Sequence, residues 1–222
     1  FGRSAPGCSV DAMTLPAAGS SAEFCPPNRR RQVLAAAILA SSMGFIDGSV
    51  LSIAVPAMRS DLGASLVEIQ WVSNAYLLFL SAFLLIGGAL GDRHGLRNVF
   101  GISICLFVAA SLACALVPVA SALIAARALQ GLAAAAMVPA SLAIIARTYP
   151  PGERSAAIGI WAAASAATTA IGPLAGGALI AALGDWGWRA IFVLNLPLGT
   201  LAVALLLQAP VDAPGAGRRT DL

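Results

Sequence analysis

Six long apolar runs dominate the sequence, at roughly 33–57, 69–90, 98–117, 121–146, 156–183 and 189–208. A helix needs about 20 predominantly apolar residues to cross a bilayer, and each run meets that length. None shows the ten-residue alternation of a transmembrane β-strand. The breaks are short and chemically distinct: MRSDLGASLVEI, GDRHGLRN, the turn at Pro118, RTYPPGERS and GDWGW. Backbone N–H and C=O groups find no partners in hydrocarbon, so such runs fold as helices. The expectation is an all-α membrane protein with a six-transmembrane-helix bundle over residues 29–208.

Composition agrees. The chain is 59% hydrophobic and 10% charged, against about 45–50% and about 25% in soluble domains. That excludes a solvated globule and a disordered chain alike. All 13 basic residues are arginine and the net charge is +3, too little and too dispersed for nucleic-acid binding. Cys8, Cys25, Cys105 and Cys114 are too scattered for a disulfide framework. The arginines also orient the chain. With six spans, Arg3, Arg29, Arg30, Arg31, Arg93, Arg97, Arg147, Arg154, Arg218 and Arg219 share one side. Only Arg59 and Arg189 edge the other, so both termini are expected in the cytoplasm. Residues 1–28 read as a disordered cytoplasmic segment and 209–222 as a truncated cytoplasmic linker.

Two ionisable residues lie within spans, Asp47 in the first and Arg127 in the fourth. A charge at the bilayer centre costs roughly 2.5–3.5 kcal/mol on insertion scales, so such groups face cavities or one another. Asp47 is about 15 Å from the nearer end of its run, too deep for a short side chain to reach the interface. Arg127 is shallower, and its stem could snorkel. The two hold equivalent places if spans 1–3 and 4–6 are inverted three-helix repeats. Gly48 and Pro56 then interrupt one span as Gly131 and Pro139 interrupt the other, a pattern that marks transporter sites. In span 5, Thr168, Gly172 and Gly176 recur every fourth residue on one face, where a neighbouring backbone can approach. Ordinary packing, a kink at Pro173 and a gating contact all fit that spacing. His94 is the single histidine and reads as a solvated loop residue. There is no His-Glu-x-x-His and no Gly-x-Ser-x-Gly, so no catalytic residue, metal or cofactor is expected.

These motifs resemble the major facilitator superfamily. GGALGDRHGLR looks like the signature between its spans 2 and 3, with Gly88, Asp92, Arg93, Gly95 and Arg97 matching and Leu96 replacing the usual Arg. Arg127, Gln130 and Gly131 look like the Arg-x-x-Gln-Gly element of span 4. Gly159, Thr168, Gly172, Pro173, Gly176 and Gly177 are similar to the antiporter signature, with Thr168 in place of one ladder Gly. Asp47 to Pro56, Gln70-Trp71 with Tyr76, and Trp186 to Gly199 resemble the fourteen-span drug:proton antiporter branch. In the first of these, Ser49 replaces Thr and Ser52 replaces Asn.

The resemblance implies the N-terminal half of a transporter that works by rocking two six-helix bundles. It implies proton-coupled export of amphipathic small molecules, with Asp47 as proton carrier and Arg127 as its electrostatic partner. Gly172, Pro173, Gly176 and Gly177 would form a leak-preventing contact, and Asp92, Arg93 and Arg97 a cytoplasmic latch. The partners implied are the substrate, protons, the lipid bilayer of the cell membrane and the missing C-terminal bundle. A facilitator for a sugar, amino acid or biosynthetic product is the nearest alternative, and a non-transporting remnant another.

Overall fold

The computed structural model describes residues 27–208. The 209–222 tail and all of the 1–28 segment except Pro27 and Asn28 lie outside the described residues. So do Arg3, Cys8, Cys25, Arg218 and Arg219. The described chain is helical: α1 (Pro27–Leu62), α2 (Leu66–His94), α3 (Leu96–Leu116), α4 (Ala120–Thr148), α5 (Pro151–Leu183), α6 (Gly187–Val193) and α7 (Asn195–Leu207). A short 3-10 turn, Gly184–Trp186, joins α5 to α6.

The helices overrun the apolar runs. Pro27 and Asn28, expected to be unstructured, open α1, because each residue added to an existing helix gains a hydrogen bond. Local chemistry sets the ends. Ser65 caps α2: its hydroxyl accepts from the Glu68 N–H at 3.3 Å, and the Glu68 carboxylate accepts from the Ser65 N–H at 2.8 Å, a capping box. A single residue, Gly95 with φ 88°, separates α2 from α3, a backbone conformation that suits glycine. Pro56 and Pro139 do not interrupt α1 and α4, which run straight through them. Close neighbours and local adjustment tolerate proline inside membrane helices.

Among the described residues, five stretches are long and apolar enough to cross a bilayer, the last being Pro151–Leu207 as a whole. That stretch crosses twice. Glu153 at the start of α5 pairs with Arg30 of α1 at 2.9 Å. Trp188 and Arg189 at the start of α6 bond Asp61 at the far end of α1. Gln208, just past α7, meets Gln32 back at the first end. The sixth span is therefore α6 and α7 together, divided at Leu194. Pro197 has no N–H to offer the Val193 carbonyl, and a helix breaks at such a point.

Paired contacts give the symmetry. Arg127 meets Val72 near one end and Arg147 meets Asp92 near the other, so α4 lies parallel to α2. Arg30 with Glu153, and Ser49 beside Gly172, set α5 parallel to α1. Exchanging α1 with α4 and α2 with α5 interchanges these pairs, as two inverted three-helix repeats require. Two apolar cores form. One contains Met43, Phe107, Ala133 and Ala202; the other contains Val50, Cys114, Ala126 and Phe192. The described arginines Arg29, Arg30, Arg31, Arg93, Arg97, Arg147 and Arg154 gather at one end of the bundle, with Arg59 and Arg189 at the other.

Candidate functional site

A polar layer lies between the two cores. Asp47 falls between Met43 and Val50, Ser111 between Phe107 and Cys114, and Arg127 with Gln130 between Ala126 and Ala133. Asp47 and Arg127 are each 1% exposed and form an ion pair through Arg127 Nη1 and Asp47 Oδ2. Taking two ions out of water costs several kcal/mol each, which only close pairing and further hydrogen bonds offset.

Arg127 has those further bonds. Its Nη1 also donates to Gln130 Oε1 at 2.8 Å, and its Nε donates to the Val72 carbonyl at 3.2 Å. The guanidinium lies 4.3 Å from the centre of the Tyr76 ring, a cation–π contact strengthened by exclusion of water. Gln130 Nε2 donates to Ser111 Oγ at 2.7 Å, and Asn195 Nδ2 donates to the same oxygen at 3.2 Å. The Cys114 thiol donates to Gln130 Oε1 at 3.2 Å. Asp47 Oδ1 is buried and has no hydrogen-bond partner among the described residues. One carboxylate oxygen is thus held by a cation; the other has no hydrogen bond of ordinary geometry among the described residues, though the Asn195 and Gln130 amides lie close to the carboxyl.

The structure brings Asp47, Arg127 and Gln130 together across α1 and α4. Ser111, Cys114 and Asn195 were not foreseen as members. A polar residue in an apolar run was the available signal, strongest for Asn195 beside Pro197.

Gly131 packs on α2: a Cβ there would collide with the Tyr76 carbonyl oxygen and approach Phe79 Cβ at 3.1 Å. The span 5 ladder divides. Gly172 and Gly176 are buried against α1, where a Cβ would stand 2.5 Å from Ser49 Oγ and 2.5 Å from Val50 Cγ1 respectively. Gly159 and Gly177 have open space instead. Thr168 and Pro173 are half-buried, and the Thr168 hydroxyl donates to the Ser165 carbonyl at 2.8 Å. Gly172→Leu is therefore expected to lower the melting temperature of the purified protein. Gly177→Leu, whose Cβ would meet nothing within 4 Å among the described residues, should leave it near wild type. Overpacking of this kind costs about 1–3 kcal/mol. Equal melting temperatures for the two variants would remove the α1–α5 seam as the reason for the ladder.

At the arginine-rich end, Asp92 Oδ1 accepts from Arg147 Nη2 of α4 at 2.8 Å. Arg97 donates from Nε and Nη2 to the carbonyls of Leu206 and Leu207, at 3.3 and 3.1 Å. It covers the C-terminal end of α7, where a cation is favoured. Arg93 and His94 are exposed, and a Cβ added at Gly88 would meet Pro139 at an ordinary contact distance.

The family described as Major Facilitator Superfamily matches residues 37–221. The chain belongs to the Major Facilitator Superfamily. It is 40% identical over 171 residues to the tetracenomycin C resistance and export protein of Streptomyces glaucescens, covering 77% of this chain and 31% of that protein. It is 39% identical to the probable actinorhodin transporter of Streptomyces coelicolor, covering 85% and 33%. With the methylenomycin A resistance protein of Bacillus subtilis the identity is 35%, covering 86% and 40%. The chain thus spans about a third to two fifths of these superfamily relatives. A bacterial homologue of the human lysosomal transporter Spinster, solved inward-facing and occupied, superposes with TM-score 0.73 at 22% identity. That match covers 86% of this chain and 46% of the Spinster homologue. The six passes are the N-terminal half of the facilitator fold.

Proposed function

We propose that this chain forms the proton-binding half of a cell-membrane exporter that exchanges protons for amphipathic small molecules. The observation that carries the reading is Asp47: a fully buried carboxylate with one oxygen on Arg127 and the other unpartnered. Such an oxygen is a place for a proton: protonation neutralises Asp47, loosens the ion pair and leaves the added positive charge on Arg127. The names of the superfamily relatives, which are resistance and export proteins, support an outward direction and a drug-like cargo. The arginine-rich end faces the cytoplasm by the positive-inside rule. There the Asp92–Arg147 pair, beside Gly88, Arg93, Gly95 and Arg97, ties α2 to α4 and would hold one conformer against a second six-helix bundle.

The test is transport by the full-length protein in vesicles with an imposed pH gradient, read with a fluorescent amphipathic dye. Asp47→Asn is expected to reduce gradient-driven dye movement to that of protein-free vesicles while the protein still folds. Wild-type rate and wild-type pH dependence in Asp47→Asn would falsify the assignment.

A further inference from the structure

The Ser111 hydroxyl has one proton, and it donates that proton to the Phe107 carbonyl of its own helix at 2.8 Å. Only lone pairs remain on the oxygen, so any neighbour bonded to it must donate. Two amides do so: Gln130 Nε2 at 2.7 Å from α4 and Asn195 Nδ2 at 3.2 Å from α7. With its nitrogen held at Ser111, Gln130 must turn Oε1 toward Arg127, where it accepts from the same Nη1 that binds Asp47. The reversed amide would set NH₂ against a guanidinium and against the Cys114 thiol, two donors facing a donor.

We propose that Ser111 is a positioning residue for proton exchange at Asp47: it fixes Gln130 as the second acceptor that holds Arg127 when Asp47 takes up a proton. When Asp47 becomes neutral, Arg127 loses its anion. Gln130 Oε1 and the Val72 carbonyl then keep the cation satisfied, and the cost of uncoupling falls. Without a correctly turned Gln130, Arg127 keeps only the Val72 carbonyl and the Tyr76 ring besides Asp47, so it leans more on Asp47 and holds it ionised to lower pH. Among the described residues, few ionisable groups face Asp47. They are Arg127 on α4, Tyr76 on α2 and Cys114 on α3. Asp61 of α1 and Arg189 of α6 pair at one end of the bundle, and Glu153 of α5 pairs with Arg30 at the other. None of these others shares the polar layer.

The inference rests on Asp47 being the proton site, and the experiment separates the two ideas. The readout is the infrared band of a protonated carboxyl in the full-length protein in lipid, titrated against pH and identified by its absence from Asp47→Asn. In Ser111→Ala its midpoint is expected to fall by about one pH unit, since a charge-assisted hydrogen bond is redistributed. Ser111→Thr, which keeps the hydroxyl, should restore it. If Ser111→Ala does not fold, Ser111→Cys carries a weak acceptor in nearly the same shape and should shift in the same direction by less. An unmoved midpoint in Ser111→Ala, or in Ser111→Cys where Ser111→Ala does not fold, overturns the role of Ser111 and leaves Asp47 standing. A band that titrates unchanged in Asp47→Asn overturns the proton site itself.

Discussion

Replacing Arg127 by Met is expected to cost about 3–5 kcal/mol of stability, the loss seen when one member of a buried ion pair is removed. The guanidinium is 1% exposed and has bonds to Asp47, Gln130 and the Val72 carbonyl, besides stacking on Tyr76. Removing it leaves Asp47 ionised in a dry layer, or forces the carboxyl to carry a proton at all times. Either result would end the proton exchange proposed for Asp47, so transport by the full-length protein is expected to be lost at any pH. Stability and transport part company in the double variant. Asp47→Leu/Arg127→Met replaces the pair by apolar side chains, and such replacements are often neutral. It should recover most of the lost stability and none of the transport. The measurement is a double-mutant cycle by thermal or denaturant unfolding in detergent, with dye efflux followed alongside. If the double variant is as unstable as Arg127→Met, the pairing energy inferred from the geometry is wrong.

The six passes were legible because a bilayer leaves a twenty-residue apolar run little choice but to be a helix. Asp47 and Arg127 were legible because a charge inside such a run is costly and must have a partner. Their matching places in two repeats hinted at each other, though spacing could not say that the side chains meet. Ser111 was silent for the opposite reason. A serine bonds to the carbonyl of its own helix at small cost, so its presence in a span signals nothing until Gln130 and Asn195 arrive from other helices. Asp92 lies close in sequence to Arg93 and Arg97, yet its partner is Arg147. Adjacent helical residues point apart, and Arg97 is drawn instead to the end of α7. The glycine ladder shows the same limit. Gly177 stands about 100° around the helix from Gly176, and that turn alone separates a packed position from an open one. Gly87 and Gly88 differ likewise: a Cβ on Gly87 would strike the Ala135 carbonyl, whereas one on Gly88 would touch Pro139 at 3.9 Å.

That seam between α2 and α4 carries the second large effect. Gly131→Ala is expected to destabilise the bundle by about 3 kcal/mol, the upper end of the overpacking range. Its Cβ would meet the Tyr76 carbonyl oxygen, and main chain cannot swing aside as a side chain can. Gly87→Ala should behave alike, because its Cβ would strike α4 backbone at Ala135 and Ala136. Without a strong hydrophobic drive between helices in lipid, close backbone approach at small residues supplies much of their attraction. Forcing α2 and α4 apart also moves Val72 and Tyr76 away from Arg127, so transport should fall even where some protein folds. Gly159→Ala is the control within the same family signatures. Its Cβ meets nothing within 4 Å, and a glycine in a helix interior is about 0.5–1 kcal/mol worse than alanine. That variant should melt at or above the wild-type temperature. Should Gly131→Ala melt with wild type, or Gly159→Ala melt well below it, the division of these glycines into contact and open positions is mistaken. With both outcomes as expected, these glycines differ in kind: Gly87 and Gly131 hold α2 to α4, Gly172 and Gly176 hold α1 to α5, and Gly159 holds nothing in this half of the fold.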